Sequence, residues 1–193
     1  YSHSIKKKDR TNLLKQKPFV LWFTGLSASG KSTIADILEQ QLSNKNYLTY
    51  ILDGDNIRHG LNSDLGFSEN DRMENLRRIG QVASLFLDAG IIVLSAFISP
   101  FKKDRLMVQS LFEEDEFIEI FVDASISVCE KRDPKGIYKK ARLGEIKKFT
   151  GIDSPYEKPS NPHIHIKTDL ISPDEAVDQI LFYLKENNFI NWR

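Results

Sequence analysis

Residues 25–32 read Gly-Leu-Ser-Ala-Ser-Gly-Lys-Ser, and they follow directly after the apolar run Phe-Val-Leu-Trp-Phe-Thr at residues 19–24. This is the pattern Gly-x-x-x-x-Gly-Lys-Ser/Thr, in which a glycine-rich turn joins a buried strand to a helix. Such a turn exposes backbone N–H groups to phosphate oxygens, and the helix that follows directs its unpaired N–H groups at the same anion. Lys31 can reach the β- and γ-phosphates, and the Ser32 hydroxyl can ligate Mg²⁺. The stretch therefore predicts a nucleotide-phosphate site, with a tight Gly/Ser turn that binds nothing as the alternative.

The composition indicates a globular protein of one domain. The chain has 193 residues, of which 40% are hydrophobic, and this is enough for a core at this length. The 27 Lys and Arg residues balance 27 Asp and Glu residues, which excludes a globally basic nucleic-acid footprint. Cys129 is the single cysteine, so we interpret it as a small buried residue and expect a reducing, cytoplasmic location. The apolar runs are too short to span a membrane, and we find no signal peptide.

The first residues of the chain differ in character from the rest. Residues 1–17 are polar and carry a cluster of lysines with one arginine, which predicts a flexible, basic, solvated tail ahead of a domain at 18–193. An arm that binds nucleic acid or a partner is the alternative, and we disfavour it because aromatic residues are nearly absent there.

Beyond the tail, strand-like and helix-like segments alternate along the chain. Near-continuous apolar strands between helices are typical of a parallel sheet that is covered on both faces, so we predict an α/β fold of the P-loop NTPase type. Ligands of such sheets bind beyond the carboxyl ends of the strands, where residues 25–32, Asp53, Ser99 and Asp123 would meet. The segments that we expect to form strands after the first one are Tyr47–Leu52, Ile91–Phe97, Phe117–Val122 and His163–Lys167.

Among nucleotide-binding proteins, a small kinase fits this chain best. The sequence has no Asn-Lys-x-Asp motif, which a regulatory GTPase would need, and no hydrophobic run ending in Asp-Glu, which is usual in helicases and motors. A kinase needs a pocket for its phosphate acceptor, cations that stabilise the transferring charge, and a lid that excludes water.

The sequence offers candidates for each of these parts. Asp53-Gly-Asp55-Asn-Ile-Arg58 combines two carboxylates with a guanidinium directly after a strand. Ser68 and Asp71 form a capping-box pattern, which predicts the start of a helix that carries Arg72 and Asn75 on one face. Residues 131–152 predict a mobile, basic lid, although a solvated surface is the alternative for any one of its cations. Those cations are Lys131, Arg132, Lys135, Lys139, Lys140, Arg142, Lys147 and Lys148.

Five blocks of the sequence resemble the adenylylsulfate kinase family. They are Asp53–Asn62, Leu65–Ser68, Phe97–Pro100, Asp133–Gly136 and Phe149–Tyr156, and the resemblance extends from about Phe19 to Ile190. It implies transfer of the γ-phosphate of ATP to the 3′-hydroxyl of adenosine 5′-phosphosulfate (APS), giving 3′-phosphoadenosine 5′-phosphosulfate in sulfate assimilation. It also implies ATP and Mg²⁺ as cofactors, a homodimer, and a sulfurylase module or partner.

The resemblance further implies a role for individual residues. Lys31, Asp53 and Ser99 match catalytic positions, and Ser32 and Asp53 match positions at the metal. Asp53 is alternatively implied as the base for the 3′-hydroxyl. Phe67 and Phe149 match two rings that sandwich the adenine of the acceptor, a reasonable arrangement because a flat base can stack on both faces. Since Phe149 lies among lysines and glycines, we do not expect it in a core. ATP-binding positions are matched by Gly25, Leu26, Ser27, Ala28, Ser29, Gly30, Lys31, Ser32, Thr33 and Arg132. Acceptor-binding positions are matched by Asp55, Arg58, Phe67, Arg72, Asn75, Ile98, Ser99, Lys135 and Phe149.

Two positions require comment. Ala28 stands where the family usually has glycine, and if its φ is positive we expect a cost of about 1 kcal/mol with ATP binding retained. Ser99 matches a serine that is treated in the family as a phosphorylated intermediate. We expect direct in-line transfer instead, because no neighbour of Ser99 in the sequence is an obvious base.

Two other functions are left open by the sequence. One is a kinase for another small acceptor, such as a nucleoside monophosphate or a sugar acid. The other is a non-catalytic nucleotide-binding domain of a larger sulfate-activation protein.

Overall fold

The computed structural model describes residues 3–191, apart from the side chain of Asp55. A five-stranded sheet in the order β2-β3-β1-β4-β5 lies at its centre, and all four strand pairings are parallel. The strands are β1 (Val20–Thr24), β2 (Thr49–Asp53), β3 (Ile92–Ala96), β4 (Phe117–Asp123) and β5 (Ile164–Lys167). The helices are α1 (Lys7–Leu14), α2 (Lys31–Ser43), α3 (Gly54–His59), α4 (Glu69–Asp88), α5 (Lys102–Gln109), α6 (Ile126–Arg132), α7 (Ile137–Arg142) and α8 (Pro173–Glu186). This confirms the predicted α/β fold.

Each face of the sheet has its own hydrophobic core, because successive side chains of a strand point to opposite faces. In β1, Leu21 and Phe23 join the core that α2 and α8 cover, whereas Val20 and Trp22 join the core beneath α4 and α5. All five residues of β1 are buried, as expected for a central strand with helices on both sides.

The order of the strands places the candidate site. The chain runs from β1 to β2 and β3 on one side, and then crosses to β4 and β5 on the other. The reversal creates a crevice at the carboxyl end of β1, which is where open parallel sheets bind ligands. Residues 25–32, hereafter the donor loop, leave β1 at this point and lead into α2.

Most of residues 3–15 are exposed, but the segment is helical and bonded to the domain, where a flexible tail is predicted; residues 1 and 2 lie outside the described part. Helix α1 lies in this segment, and its Arg10 forms an ion pair of 2.7 Å with Asp88 at the end of α4. The buried amide of Gln16 donates to the carbonyls of Leu48 (2.9 Å) and Gly90 (2.8 Å). The sequence concealed this contact because α1 buries no residue and the link is made by polar side chains, which leave no hydrophobic period.

The predicted lid, residues 131–152, has a small core of its own. Tyr138, Ala141 and Phe149 pack with Cys129, and Leu26 and Ala28 of the donor loop pack against this cluster. The expectation that Phe149 lies outside a core is wrong, since it is 9% exposed and meets the ring of Tyr138. The buried position predicted for Cys129 is confirmed. Among residues 3–191, no helix combines the length and the apolar character that a membrane span requires.

Candidate active site

The donor loop depends on unusual backbone conformations at three of its residues. Gly25 has φ +153°, and a Cβ at this position would lie 2.3 Å from the carbonyl oxygen of Val122, so a side chain cannot be accommodated. Gly30, at the start of α2, has φ +108°. Ala28 has φ +58°, a left-handed conformation that costs an L-residue roughly 1–2 kcal/mol. The departure from glycine at Ala28 therefore falls on a peptide where glycine would be unstrained.

Lys31 is held against the donor loop from which it emerges. The side chain is 7% exposed, and Nζ donates to the carbonyls of Gly25 (2.9 Å) and Leu26 (2.7 Å). Burial, reinforced by the charge of Lys135 on the lid, lowers the pKa of the Lys31 ammonium to about 8. These carbonyls are weak partners for a buried cation, and a phosphate anion would replace them favourably.

Two oxygen ligands meet beside the donor loop. The Ser32 hydroxyl, in the first turn of α2, donates to Asp53 Oδ2 at 2.7 Å, and Asp53 is the last residue of β2. A hydroxyl and one carboxylate suit Mg²⁺, which prefers oxygen ligands and usually completes its shell with water and substrate phosphates. These two residues therefore fit the metal that the sequence predicts.

The carbonyl of Ser29 in the donor loop is held by Arg132 at the end of α6 and by Thr168, which follows β5. The carbonyl of Ser29 accepts hydrogen bonds from Thr168 Oγ1 (2.8 Å) and from Arg132 Nη1 (3.3 Å), and Arg132 also donates to Thr168 Oγ1 (3.1 Å). Arg132 was predicted at the ATP site, whereas Thr168 was missed. Its position directly after β5 was the available signal, because that edge of a parallel sheet binds ligands.

Arg72 connects the start of α4 to the lid, among the residues that are predicted to bind the acceptor. From α4 it donates to the carbonyl of Phe67 (3.1 Å), to the hydroxyl of Thr150 (3.1 Å) and to the carbonyl of Lys148. Lys148 and Thr150 flank Phe149 in the chain. One guanidinium therefore links the segment at Phe67 to the segment at Phe149, and these are the two predicted adenine-binding rings. A planar guanidinium with several donors in fixed directions is suited to this task.

The two predicted adenine-binding rings differ in exposure. Phe67 is 66% exposed, and the guanidinium of Arg58 lies 4.5 Å from the centre of its ring. Phe149 is buried at the edge of the Tyr138 ring. Arg58 also donates to the carbonyl of Gly66 at 3.0 Å, so the predicted acceptor residues Arg58 and Phe67 form one unit.

Asn75 is oriented by a residue whose role the sequence did not indicate. Both Asn75 and Asn62 are buried, and the amide nitrogen of Asn62 donates to Oδ1 of Asn75 at 2.9 Å. With its carbonyl turned toward Asn62, the Asn75 amide directs its N–H groups elsewhere. Asn62 lies in one of the blocks that carry the family resemblance, but that pattern does not state which group it contacts.

Ser99 and Ile98 line the end of β3 next to the donor loop. Ser99 is 2% exposed, has φ +39°, and its Oγ accepts a hydrogen bond from the indole N–H of Trp22 at 3.2 Å. The carbonyl of Ile98 accepts from the Thr24 hydroxyl at 2.8 Å. An indole N–H only donates, so Trp22 cannot remove a proton from the hydroxyl of Ser99.

Three further predicted residues lie on the lid and on helices α2 and α3. Lys135 is exposed between α6 and α7, and Thr33 is exposed in the first turn of α2. Asp55 lies in α3, and its side chain is outside the described part of the molecule.

Comparison with known proteins shows which family the chain belongs to. Residues 17–167 match the profile of the adenylylsulphate kinase family. An adenylyl-sulfate kinase of Marinobacter nauticus is 58% identical over 190 residues, which is 98% of this chain and 96% of that protein. The structure of an APS kinase from Mycobacterium tuberculosis in complex with AMPPNP and APS has a TM-score of 0.84 and 48% identity, and the match covers 88% of this chain and 99% of that one. A hexameric APS kinase from Thiobacillus denitrificans is 33% identical with a TM-score of 0.70, and the match covers 91% of this chain and 30% of that one. The chain belongs to the adenylylsulphate kinase family.

Proposed function

We propose that this chain transfers the γ-phosphate of ATP to the 3′-hydroxyl of APS and releases ADP, 3′-phosphoadenosine 5′-phosphosulfate and the proton of that hydroxyl. The observation that carries the proposal is the link made by Arg72. It joins Phe67 to the lid residues around Phe149, which supports the assignment of these two rings to one acceptor site. Membership of the adenylylsulphate kinase family and the likeness to a structure that contains AMPPNP and APS support the same assignment.

The donor half of the site binds ATP through the backbone of the donor loop. Lys31 exchanges the carbonyls of Gly25 and Leu26 for phosphate oxygens and stabilises the charge on the transferred group. Ser32 and Asp53 hold Mg²⁺, which neutralises charge on the phosphates when it is bound. Arg132 and Lys135 add positive charge from the side of the lid.

The acceptor half binds APS through its flat base and its anionic groups. Phe67 and Phe149, which we call the acceptor clamp, stack on the two faces of the adenine. Arg58 then leaves the ring of Phe67 and, with Arg72 and the amide of Asn75, contacts the phosphosulfate. Ile98 completes the pocket, and Asp55, whose side chain lies outside the described part of the molecule, stays a predicted acceptor residue on α3.

Transfer is direct, without a phosphorylated Ser99. The Ser99 hydroxyl is buried against the indole N–H of Trp22, a group that cannot act as a base. We expect Ser99→Ala to keep most of the activity and a chiral γ-phosphate to be inverted at phosphorus. Net retention would contradict direct transfer.

ADP release measured with ATP and a panel of acceptors tests the proposal. APS should stimulate release strongly, whereas AMP and gluconate at the same concentration should not. The control is Lys31→Ala, which should abolish the stimulated rate while the protein remains folded by circular dichroism. Folded wild-type protein without APS-dependent ADP release would refute the assignment, and release with AMP or gluconate would favour another acceptor.

Four finer properties belong to the same proposal. We infer that activity depends on Mg²⁺, that the protein forms a homodimer, that a sulfurylase module or partner supplies APS, and that the reaction takes place in the cytoplasm. Loss of activity with a chelator and its recovery with Mg²⁺ test the first, and sedimentation equilibrium tests the second.

A further inference from the structure

We propose that Tyr138 is a positioning residue that couples the donor loop to the acceptor clamp, so that ATP and APS each strengthen the binding of the other. The inference rests on the proposed function, because it assigns Phe149 to the adenine of APS. It adds a residue for which neither the loop pattern nor the predicted site residues gave a role.

Tyr138 contacts both halves of the site with one side chain. Its hydroxyl donates to the backbone carbonyl of Ser27, in the middle of the donor loop, at 3.0 Å. Its ring meets the ring of Phe149 edge-on, with the centroids 4.9 Å apart and the planes at 74°. A single phenol therefore spans from the phosphate-binding backbone to one of the two clamp rings.

The surroundings of Tyr138 leave little room for independent movement. The residue is 1% exposed and packs within the small lid core, against which Leu26 and Ala28 of the donor loop also lie. Close-packed interiors transmit displacements instead of absorbing them. A movement of the Ser27 peptide on nucleotide binding is therefore passed to Phe149.

Phe149 is restrained from its other side by the acceptor half. Arg72 donates to the carbonyl of Lys148 and to the hydroxyl of Thr150, the two neighbours of Phe149 in the chain. The carboxylate of Asp153 anchors the backbone N–H of Phe149. The clamp ring is then restrained by Tyr138 on the donor side, and its neighbours in the chain are held by Arg72 on the acceptor side. Each substrate sets one of these two restraints, and binding of one prepares the other.

The hydroxyl of Tyr138, which bonds to Ser27 and also to the thiol of Cys129, can be removed while the ring is kept. Burial raises the pKa of the Tyr138 phenol well above its usual range, so the hydroxyl remains a donor at all physiological pH values. Tyr138→Phe deletes this donor and keeps the ring that contacts Phe149. The matched control is Tyr47→Phe. This change also deletes a phenolic hydroxyl that donates to a backbone carbonyl, that of Asn191 at 2.9 Å, but Tyr47 lies outside both substrate sites.

The test measures the binding of AMPPNP and of APS by calorimetry, each alone and with the other at saturation. In the wild type and in Tyr47→Phe, each ligand should tighten the other by the same factor, because coupling is reciprocal. In Tyr138→Phe this factor should fall about three- to tenfold, the worth of one hydrogen bond, while APS alone binds almost as before. In turnover the variant should show a raised KM for APS at saturating ATP and a kcat close to that of the wild type.

Amide hydrogen exchange gives a second readout that does not depend on affinity. AMPPNP alone should protect residues 148–151 in the wild type and should fail to protect them in Tyr138→Phe. A coupling factor that is unchanged in Tyr138→Phe, or that equals one in the wild type, would overturn the inference. Failure of the proposed function is a separate result, because it requires that folded wild-type protein does not phosphorylate APS.

Discussion

The donor loop and the acceptor side of the site are constructed in different ways. The donor loop is one continuous segment, residues 25–32, whose chemistry comes from its own backbone and from Lys31 and Ser32. The acceptor side is assembled from the segment at Phe67, the helix α4 and the lid, and Arg72 connects them. A continuous motif can be read from the sequence with its function, whereas an assembled pocket has no pattern until its connecting residue is known.

Removal of Lys31 should cause the largest loss, because it takes the main cation from the donor loop. We expect Lys31→Ala to lower kcat by about 10²–10³-fold or more, since a preorganised charge at the transferred group is lost. Steady-state kinetics with ATP and APS measure the effect. Lys139→Ala, which removes an exposed lysine of the lid, is the control and should change kcat little. Similar losses in both variants would mean that the lid is as important as the donor loop.

Removal of Arg72 should weaken APS binding directly and leave the binding of ATP by itself unchanged. We expect Arg72→Ala to raise the KM for APS by about 30-fold or more, since a charged side chain loses several hydrogen bonds worth about 1.5–3 kcal/mol each when made singly. AMPPNP affinity in the absence of APS, measured by calorimetry, should stay the same. Arg72→Lys should not restore the KM, because an ammonium cannot reproduce the geometry of the planar guanidinium. An equal loss of AMPPNP binding would contradict the division into two halves.

The pH dependence of ATP binding should distinguish the donor loop from the acceptor side. The pKa of Lys31 is lowered to about 8, so its ammonium is charged below this value and loses its proton as the pH rises through it. Affinity for AMPPNP should therefore fall above about pH 8, by roughly tenfold near pH 9, if only the charged form binds phosphate. Calorimetry in buffers of different ionisation enthalpy should detect proton uptake on binding near pH 8.

The variant Lys31→Arg provides the control for this titration. A guanidinium keeps its charge throughout this range, so the decline in AMPPNP affinity above about pH 8 should disappear, whatever the affinity of the variant at neutral pH. A decline that persists in Lys31→Arg would assign the titration to another group.

The smallest effect is expected at Ala28, where the donor loop contains its strained alanine. Ala28→Gly relieves roughly 1 kcal/mol of backbone strain, and the greater freedom of glycine in the unfolded chain removes about 0.4–1 kcal/mol of this gain. The free energy of unfolding, measured with urea, should change by less than about 1 kcal/mol, and ATP affinity by less than about tenfold. A hundredfold gain in ATP affinity would show that the strain at Ala28 is much larger than its φ of +58° implies.

Most of the fold could be predicted from the sequence because its signals are local. The strand at residues 19–24 and the donor loop follow from neighbouring residues, and the capping box at Ser68 and Asp71 does begin α4. The order of residues 3–17 was not predicted, because the amide of Gln16 bonds to carbonyls that are distant in the chain. The burial of Phe149 was not predicted either, because its partner Tyr138 does not belong to a periodic pattern.

The sequence by itself determined the donor chemistry, because a phosphate is bound by consecutive peptide groups whose spacing is set along the chain. It also supplied the identities of Asp53, Arg58, Arg72 and Asn75 as candidates. Only the tertiary structure decided that Arg72 connects Phe67 to the lid, that Asn62 orients Asn75, and that Tyr138 lies between Ser27 and Phe149. Each of these contacts is made by a single polar or aromatic side chain to a group 5 to 111 residues away, and packing chooses the partner, not any local rule.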